Sequence, residues 1–381
     1  MTNRQTILRA ATLLLAGHIT SHPPFSGLGF VVLPLLIWLQ RRDGDAVPWY
    51  TLAFFLGVGV TIPFAVVDVG SGVSLAVTTW VGYAIVAALL TYPPRFVKSA
   101  LAVSAWTYLP LSLPFIGFVF VAPPLSAAGW WYPATGLAGV ALMVWLGAAA
   151  IDAFESASLR PILFPLAVSF VCNCVAAATP VSQDSSVVGI SQQVSAPPHN
   201  QAQSVLAAVK ERPAVQQAFG RGARVAVLPE NVLGSPDLLS VMILHIPSGH
   251  TVVAGGLHQD PETGRWAKGT WVLPAGVFYP AIQPIPVIES GMSPHWGALG
   301  KRATIAGSAY SLLICYEAST TLPLYHLHAG APILLLGNGW WDRSGIMDIE
   351  AGLARSWARL FHARLDIARG FPLGQKRAFF D

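Results

Sequence analysis

The stretch Tyr310–Glu317, Y-S-L-L-I-C-Y-E, ends an apolar run on a thiol, with a carboxylate two residues further on. Cys315 is the one cysteine in the second half of the sequence. A buried strand that delivers a side chain at its C-terminal end is a common way to present a nucleophile at the edge of a sheet. The plainer reading is a small core residue, because free cysteine is among the most buried types. Two further apolar runs end in a comparable way. Arg224–Glu230, R-V-A-V-L-P-E, ends on an acid, and Pro332–Trp341, P-I-L-L-L-G-N-G-W-W, ends on a polar turn containing glycine. A thiol attacks a carbonyl better as the thiolate. It needs a base for its proton and a group that stabilises the oxyanion. An acid placed as Glu230 is can supply the base, or it can be a solvated turn residue.

V-L-P-E, L-L-I-C-Y-E and L-L-L-G-N-G-W-W, in that order, resemble three strand ends of the nitrilase (carbon-nitrogen hydrolase) superfamily. Within it the sequence is most similar to the membrane branch that includes apolipoprotein N-acyltransferase. I-C-Y-E, G-N-G-W-W and the later S-W-A-R-L-F further resemble a group of plasmid-encoded conjugal transfer proteins. The resemblance implies a Glu–Lys–Cys catalytic set. Cys315 would be the nucleophile and Glu230 the general base, with Glu317 supporting the site and Asn338 and Trp340 in the supporting G-N-G-W-W turn. The lysine departs from the pattern. The acyltransferase loop reads roughly K-x-H-L-V-P-F-G-E. Its best local match, Ala281–Glu289, keeps Pro286 and Glu289 but has Ala281 where the lysine belongs. Lys268 lies upstream and fits the same pattern one residue out of step, with Val277 in place of the acid. Lys268 and Lys301 are the two lysines between Glu230 and Cys315, and Lys268 is the candidate.

These residues need a scaffold. Strands are expected at 187–191, 224–229, 251–256, 303–306, 310–315 and 332–336, with a hairpin arm around Gly264–Pro274. Helical periodicity covers 200–219, 236–245 and 349–361, the last presenting Arg355 and Arg359 on one face at i,i+4. Alternating strands and helices imply a layered α/β domain. The resemblance sharpens this to an αββα sandwich over residues 187–381. The segment after Phe361, H-A-R-L-D-I-A-R-G-F-P-L-G-Q-K-R-A-F-F-D, shows no strand alternation. The reading is therefore a sandwich truncated at its C-terminus, incomplete after about residue 361.

The first half is a different material. The chain has 381 residues, 54% hydrophobic and 10% charged, against roughly 25% charged in soluble domains. Its mean hydropathy is +0.56, and most of its charges fall after Glu211. Apolar segments at 7–20, 27–40, 47–67, 73–92, 100–125, 134–151 and 161–178 imply a polytopic helical membrane domain over residues 1–178 with about seven helices. The first two are short against the ~20 apolar residues a span needs. Residues 179–186 read as a linker. Arg4, Arg9, Arg41, Arg42, Arg95, Lys98 and Arg160 fall in alternate loops, while the loops at S-H-P-P-F, V-D-V-G-S and W-W-Y-P carry no Lys or Arg. That bias orients the N-terminus to the cytoplasm and everything after the last span to the far side, which is the periplasm for an inner-membrane protein. Trp130, Trp131 and Tyr132 read as an interfacial aromatic belt. Three cysteines make no disulfide framework, and Cys172 and Cys174 read as packing residues.

The small net charge of +4, without a basic block, gives no support to nucleic-acid binding. No metal-ligand or cofactor pattern is present, so none is expected. Expected partners are membrane lipid as an acyl donor, and conjugation machinery. Two functions remain open at this level. One is a membrane-bound acyl-transfer or amide-processing enzyme built on Cys315. The other is a non-catalytic membrane accessory of conjugation on the same fold.

Overall fold

The computed structural model describes residues 3–22, 25–44, 48–94, 96–113, 124–182, 184–194, 197–198, 200–260, 264–285, 289, 291–342 and 345–372. The chain forms two compact units. One comprises Met1–Val181 with Ser319–Tyr325 and Asp348–Ala363, and the other Ser182–Ala318, His326–Met347 and Arg364–Asp381.

Among the described residues the N-terminal half is helical: α1 (Asn3–Ser21), α2 (Ser26–Arg42), α3 (Trp49–Val58), α4 (Ile62–Asp68), α5 (Val73–Thr91), α6 (Ala100–Ser112), the single turn α7 (Ala128–Trp131), α8 (Leu137–Glu155) and α9 (Arg160–Ala178). Among the described residues, α5, α8 and α9 are long and apolar enough to cross a membrane. The pair α3 and α4, bent by 40°, makes a fourth span if counted as one. Gly59 ends α3 and Pro63 lies in the first turn of α4, so the break sits where the sequence places its helix punctuation. The sequence reading expects about seven spans. Helices form at the expected segments: α1 has 19 residues and α2 17, and α6 stops at Ser112. Pro114 and the rest of that expected span lie outside the described residues, as does Arg95.

The second half begins with β1 (Val187–Gly189), β2 (Gln192–Gln193), α10 (Gln201–Gly220), β3 (Val225–Leu228), α11 (Leu238–Leu244), β4 (Thr251–Gln259), β5 (Trp266–Leu273) and β6 (Val277–Pro280). It continues with β7 (Ala303–Ile305), β8 (Ser308–Ile314), α12 (Pro323–His326), β9 (Ile333–Asn338), α13 (Ile346–Leu360) and β10 (Leu365–Phe371). Two five-stranded sheets result, ordered β1-β3-β4-β5-β6 and β2-β10-β9-β8-β7. Strands joined through helices pair in parallel, as β3 with β4 and β8 with β9, and the directly linked β4, β5 and β6 pair antiparallel.

The period-2 alternation of side chains divides the core in two. Val225, Val227 and Val253 face the second sheet and pack against Leu312, Leu334, Leu336 and Ala368. Ala226, Leu228 and Ala254 point the other way, onto Val215, Ala218 and Phe219 of α10 and Leu244 of α11. The sheets are therefore stacked face to face, with α10 and α11 covering the outer side of the first.

The expected end of the sandwich near residue 361 is corrected by β10. This strand pairs in parallel with β9 from Leu365↔Ile333 to Gly370↔Asn338, and then with β2. It escaped the sequence reading because charges interrupt its pattern. Asp366 accepts from Arg364 Nε at 2.9 Å, and Arg369 is buried with its guanidinium 5.2 Å from the Phe371 ring. Residues 373–381 lie outside the described residues.

Within the helical unit, backbones touch. A Cβ on Gly17 would sit 2.0 Å from Phe54 O, and one on Gly57 would sit 1.9 Å from Leu14 O, so α1 and α3 cross through a reciprocal pair of glycines. Small residues at a crossing are how apolar helices associate where lipid offers no hydrophobic drive. Polar links add to this: Ser104 Oγ donates to Val144 O at 2.7 Å and Trp80 Nε1 to Leu56 O at 2.9 Å. Tyr132 is fully buried and donates to Pro165 O at 3.1 Å, so it is a packing residue and not part of a surface belt. On α9, Cys174 is exposed and Cys172 half-buried. Arg359 of α13 donates through Nε to Gly129 O at 3.2 Å and through a terminal nitrogen to Asn173 Oδ1 at 3.0 Å, with its guanidinium 4.8 Å from the Trp130 ring.

The glycine crossing gives a direct expectation. Gly57→Leu overpacks it and costs about 2 kcal/mol, read as a lower thermal midpoint in detergent, while Gly82→Leu, which faces open space on α5, leaves the midpoint unchanged.

Candidate active site

Four chain segments converge on Cys315. The residue follows β8 directly and has φ +49°, the left-handed region that non-glycine residues rarely occupy. This turns the chain sharply at the end of the strand. Glu317 holds the turn: Oε2 accepts from Ile314 N at 2.8 Å, and Oε1 accepts from Ile282 N at 2.6 Å and Gln283 N at 3.2 Å. One buried carboxylate thus ties the residue before the thiol to the loop after β6.

Glu230 follows β3 by two residues and is buried. Its backbone lies hard against β4, where a Cβ on Gly255 would come within 2.2 Å of Glu230 Cα, so that position requires glycine. Lys268 stands on β5 and is 2% exposed. Its Nζ lies 3.3 Å from Glu230 Oε1 and 2.8 Å from Glu289 Oε2. Glu289 is itself fixed, accepting from Ile285 N at 2.6 Å. The Cys315 thiol donates a hydrogen bond to the Glu230 carboxylate. Thiol, carboxylate and ammonium therefore meet at one buried point, with a second carboxylate behind the ammonium.

This arrangement draws on both sequence registers. Lys268 comes from the upstream alignment and Glu289 from the downstream one. Ala281 packs against Ile314 and Cys315, while Val277 is largely exposed on β6. Asn338 and Trp340 make other contacts. Asn338 is buried at the end of β9, the strand beside β8, and its Oδ1 accepts from Trp340 N at 3.3 Å. The Trp340 ring packs on the core between α10 and the first sheet.

Burial raises the Glu230 carboxyl above its ordinary range, although Lys268 pulls in the opposite direction. Burial alone would lower Lys268, but Glu230 and then Glu289 outweigh it and hold the ammonium well above its usual value. A cationic lysine and a carboxylate of raised basicity are suited, respectively, to stabilising an oxyanion and taking a thiol proton. Burial pushes Glu317 up to about 7, against the lowering effect of its three backbone donors.

The sequence reading missed several neighbours. Asn231 Nδ2 lies 3.4 Å from Glu230 Oε1. Among the described residues, the buried Thr270 hydroxyl and Gln283 Oε1 have no hydrogen-bond partner. Thr270 shares the Lys268 face of β5, two residues on. No motif marks these residues, because each acts through position alone. A cavity of about 340 Å³ abuts Ile282, Ile314 and Glu317 and is walled elsewhere by Tyr279, His295 and His326.

Two outcomes follow. Lys268→Met leaves the buried Glu230 and the half-buried Glu289 without their counter-charge and lowers stability by about 3–5 kcal/mol, measured by chemical denaturation in detergent. For Glu317 the folded-state value of about 7 lies above the ordinary 4.5. The folded state therefore binds the proton more tightly, and its stabilising effect is complete below pH 4.5 and lost as pH rises to about 7. The loss amounts to roughly 3 kcal/mol. The thermal midpoint falls over that window, and the fall is smaller in Glu317→Gln.

No family model matches the chain. It is 31% identical over 166 residues to the conjugal transfer protein TraB of Agrobacterium fabrum, a stretch covering 39% of this chain and 39% of TraB. The match thus spans about two fifths of that relative's length. Among solved structures, the chain is similar to an amidase of the nitrilase superfamily from Nesterenkonia (16% identity, TM-score 0.36, 50% of this chain and 79% of the amidase). It is also similar to a glutamine-dependent NAD+ synthetase from Acinetobacter baumannii (15% identity, TM-score 0.28, 39% and 31%).

Proposed function

We propose that the chain is an inner-membrane, nitrilase-type cysteine acyl-transfer or amide-processing protein that acts in plasmid conjugal transfer. The observation that carries the chemistry is the meeting of Cys315, Glu230 and Lys268 in one buried cluster. Glu230 takes the thiol proton as sulfur attacks an ester or amide carbonyl. The Lys268 ammonium, held between two carboxylates, faces the developing oxyanion, and Glu289 keeps the lysine protonated and in place. The leaving group departs with the proton from Glu230, and Cys315 carries the acyl group as a thioester. An incoming amine or water then gives its proton to Glu230 and releases the thiol.

Membrane lipid is the acyl donor in this reading, which the apolar helical half supports. The similarity to TraB supports the conjugal role. The loop distribution of Lys and Arg supports a cytoplasmic N-terminus and a periplasmic catalytic half. Lys268 beside Glu230 and Cys315 supports the enzymatic reading over the accessory one.

Incubated with phospholipid in micelles, the wild-type chain gains the mass of one acyl group on Cys315, and Cys315→Ala does not. An unchanged wild-type mass, together with unaltered conjugal transfer frequency in Cys315→Ala cells, would overturn the enzymatic reading in favour of an accessory role.

A further inference from the structure

The cavity beside Glu317 is not used by the chemistry of the cluster. Among the described residues, its wall includes none of Cys315, Glu230, Lys268 and Glu289. Its volume of about 340 Å³ is that of a small-molecule site, at the low end of the ~300–1,000 Å³ such pockets have.

Its apolar and polar parts are separated. Ile282, Leu312 and Ile314 are buried and line it. Leu312 and Ile314 share one face of β8, about 7 Å apart along the strand. Ala303 pairs with Tyr310, so Lys301 and Arg302, just before β7, enter at the Leu312 end, while Glu317 closes the Ile314 end.

The remaining wall is one folded loop. His295 N donates to Ile282 O at 2.9 Å, Ala298 N to His295 O at 2.8 Å and Lys301 N to Ala298 O at 3.0 Å. These turns bring the His295 ring and the two cations to the same cavity. His295 Nε2 is buried and has no hydrogen-bond partner among the described residues. Lys301 and Arg302 are exposed, and among the described residues neither has an acid within ion-pair distance. The one acid in the wall, Glu317, already accepts from three backbone N–H groups. His326 adds no charge: its Nδ1 accepts from Gly300 N at 3.2 Å, and burial lowers the ring to about 4. The field in the cavity is therefore positive at its exposed end, over an apolar floor.

We propose that this cavity binds a small carboxylate with a compact apolar body, the carboxylate meeting Lys301, Arg302 and His295 Nε2 and the body lying on Ile282, Leu312 and Ile314. A neutral ligand would leave the buried His295 nitrogen and both cations unmet, and an inorganic anion would leave the apolar floor uncovered. The site is separate from the thiol and does not require the acyl-transfer reading.

The full-length chain in phosphatidylcholine nanodiscs is titrated with para-fluorobenzoate, read by fluorine NMR line broadening with empty nanodiscs subtracted. Saturable binding is expected, and Cys315→Ala keeps it. Lys301→Ala/Arg302→Ala, confined to exposed side chains, weakens binding at least about tenfold. Ala298→Phe, which intrudes on the cavity, abolishes it with the thermal midpoint unchanged. The uncharged para-fluorobenzamide binds at least about tenfold more weakly than the carboxylate. No saturable binding, or an affinity untouched by Lys301→Ala/Arg302→Ala, overturns the proposal. So does displacement of the probe by an equal concentration of inorganic phosphate, which would mark a surface anion site only. Loss of binding in Cys315→Ala would place the probe at the reactive cluster and overturn it as well.

Discussion

The α/β half depends on a buried ammonium shared by two carboxylates. Desolvating Lys268 alone would cost several kcal/mol, and so would desolvating Glu230 or Glu289 alone. Together the three groups satisfy one another. They join the end of β3, the middle of β5 and the loop after β6, and the thiol of Cys315 completes the set from the second sheet. The site is thus also a joint between the two sheets, and geometry that suits chemistry is enforced by the cost of leaving any member unpaired.

The supporting structure follows the same logic of obligatory satisfaction. Glu317 gives its two oxygens to three backbone N–H groups and so holds the left-handed turn at Cys315. Gly255 is bare because the backbone at Glu230 occupies the space a side chain would need. The buried hydroxyl of Thr270 and carbonyl of Gln283 lack partners among the described residues. Polar atoms left this way near a reactive cluster suit a bound substrate, since unmet buried groups gain most from a ligand that satisfies them.

Much of this was legible in the order of residues, for identifiable reasons. Apolar runs ending in P-E and C-Y-E marked β3 and β8, because a strand buried on both faces reads as a continuous hydrophobic stretch. Lys268 was harder to place, since its partner acid lies on a loop beyond β6 and sequence spacing does not report contact between them. Strand β10 was missed because Asp366 and Arg369 break its pattern, and those charges are met by Arg364 beside Asp366 and the Phe371 ring beside Arg369. In the helical half, segment positions could be read from apolarity. The bend between α3 and α4 decides whether that pair makes one span, and it depends on the local break at Gly59 and Pro63.

The claim that Glu230 shares the Cys315 proton is tested most directly by the rate at which iodoacetamide alkylates Cys315 at neutral pH, followed by peptide mass analysis in the folded protein. The account predicts rapid alkylation in the wild type and a drop of roughly tenfold or more in Glu230→Gln, with Cys174 labelling unchanged. Equal Cys315 rates in the two proteins would contradict it.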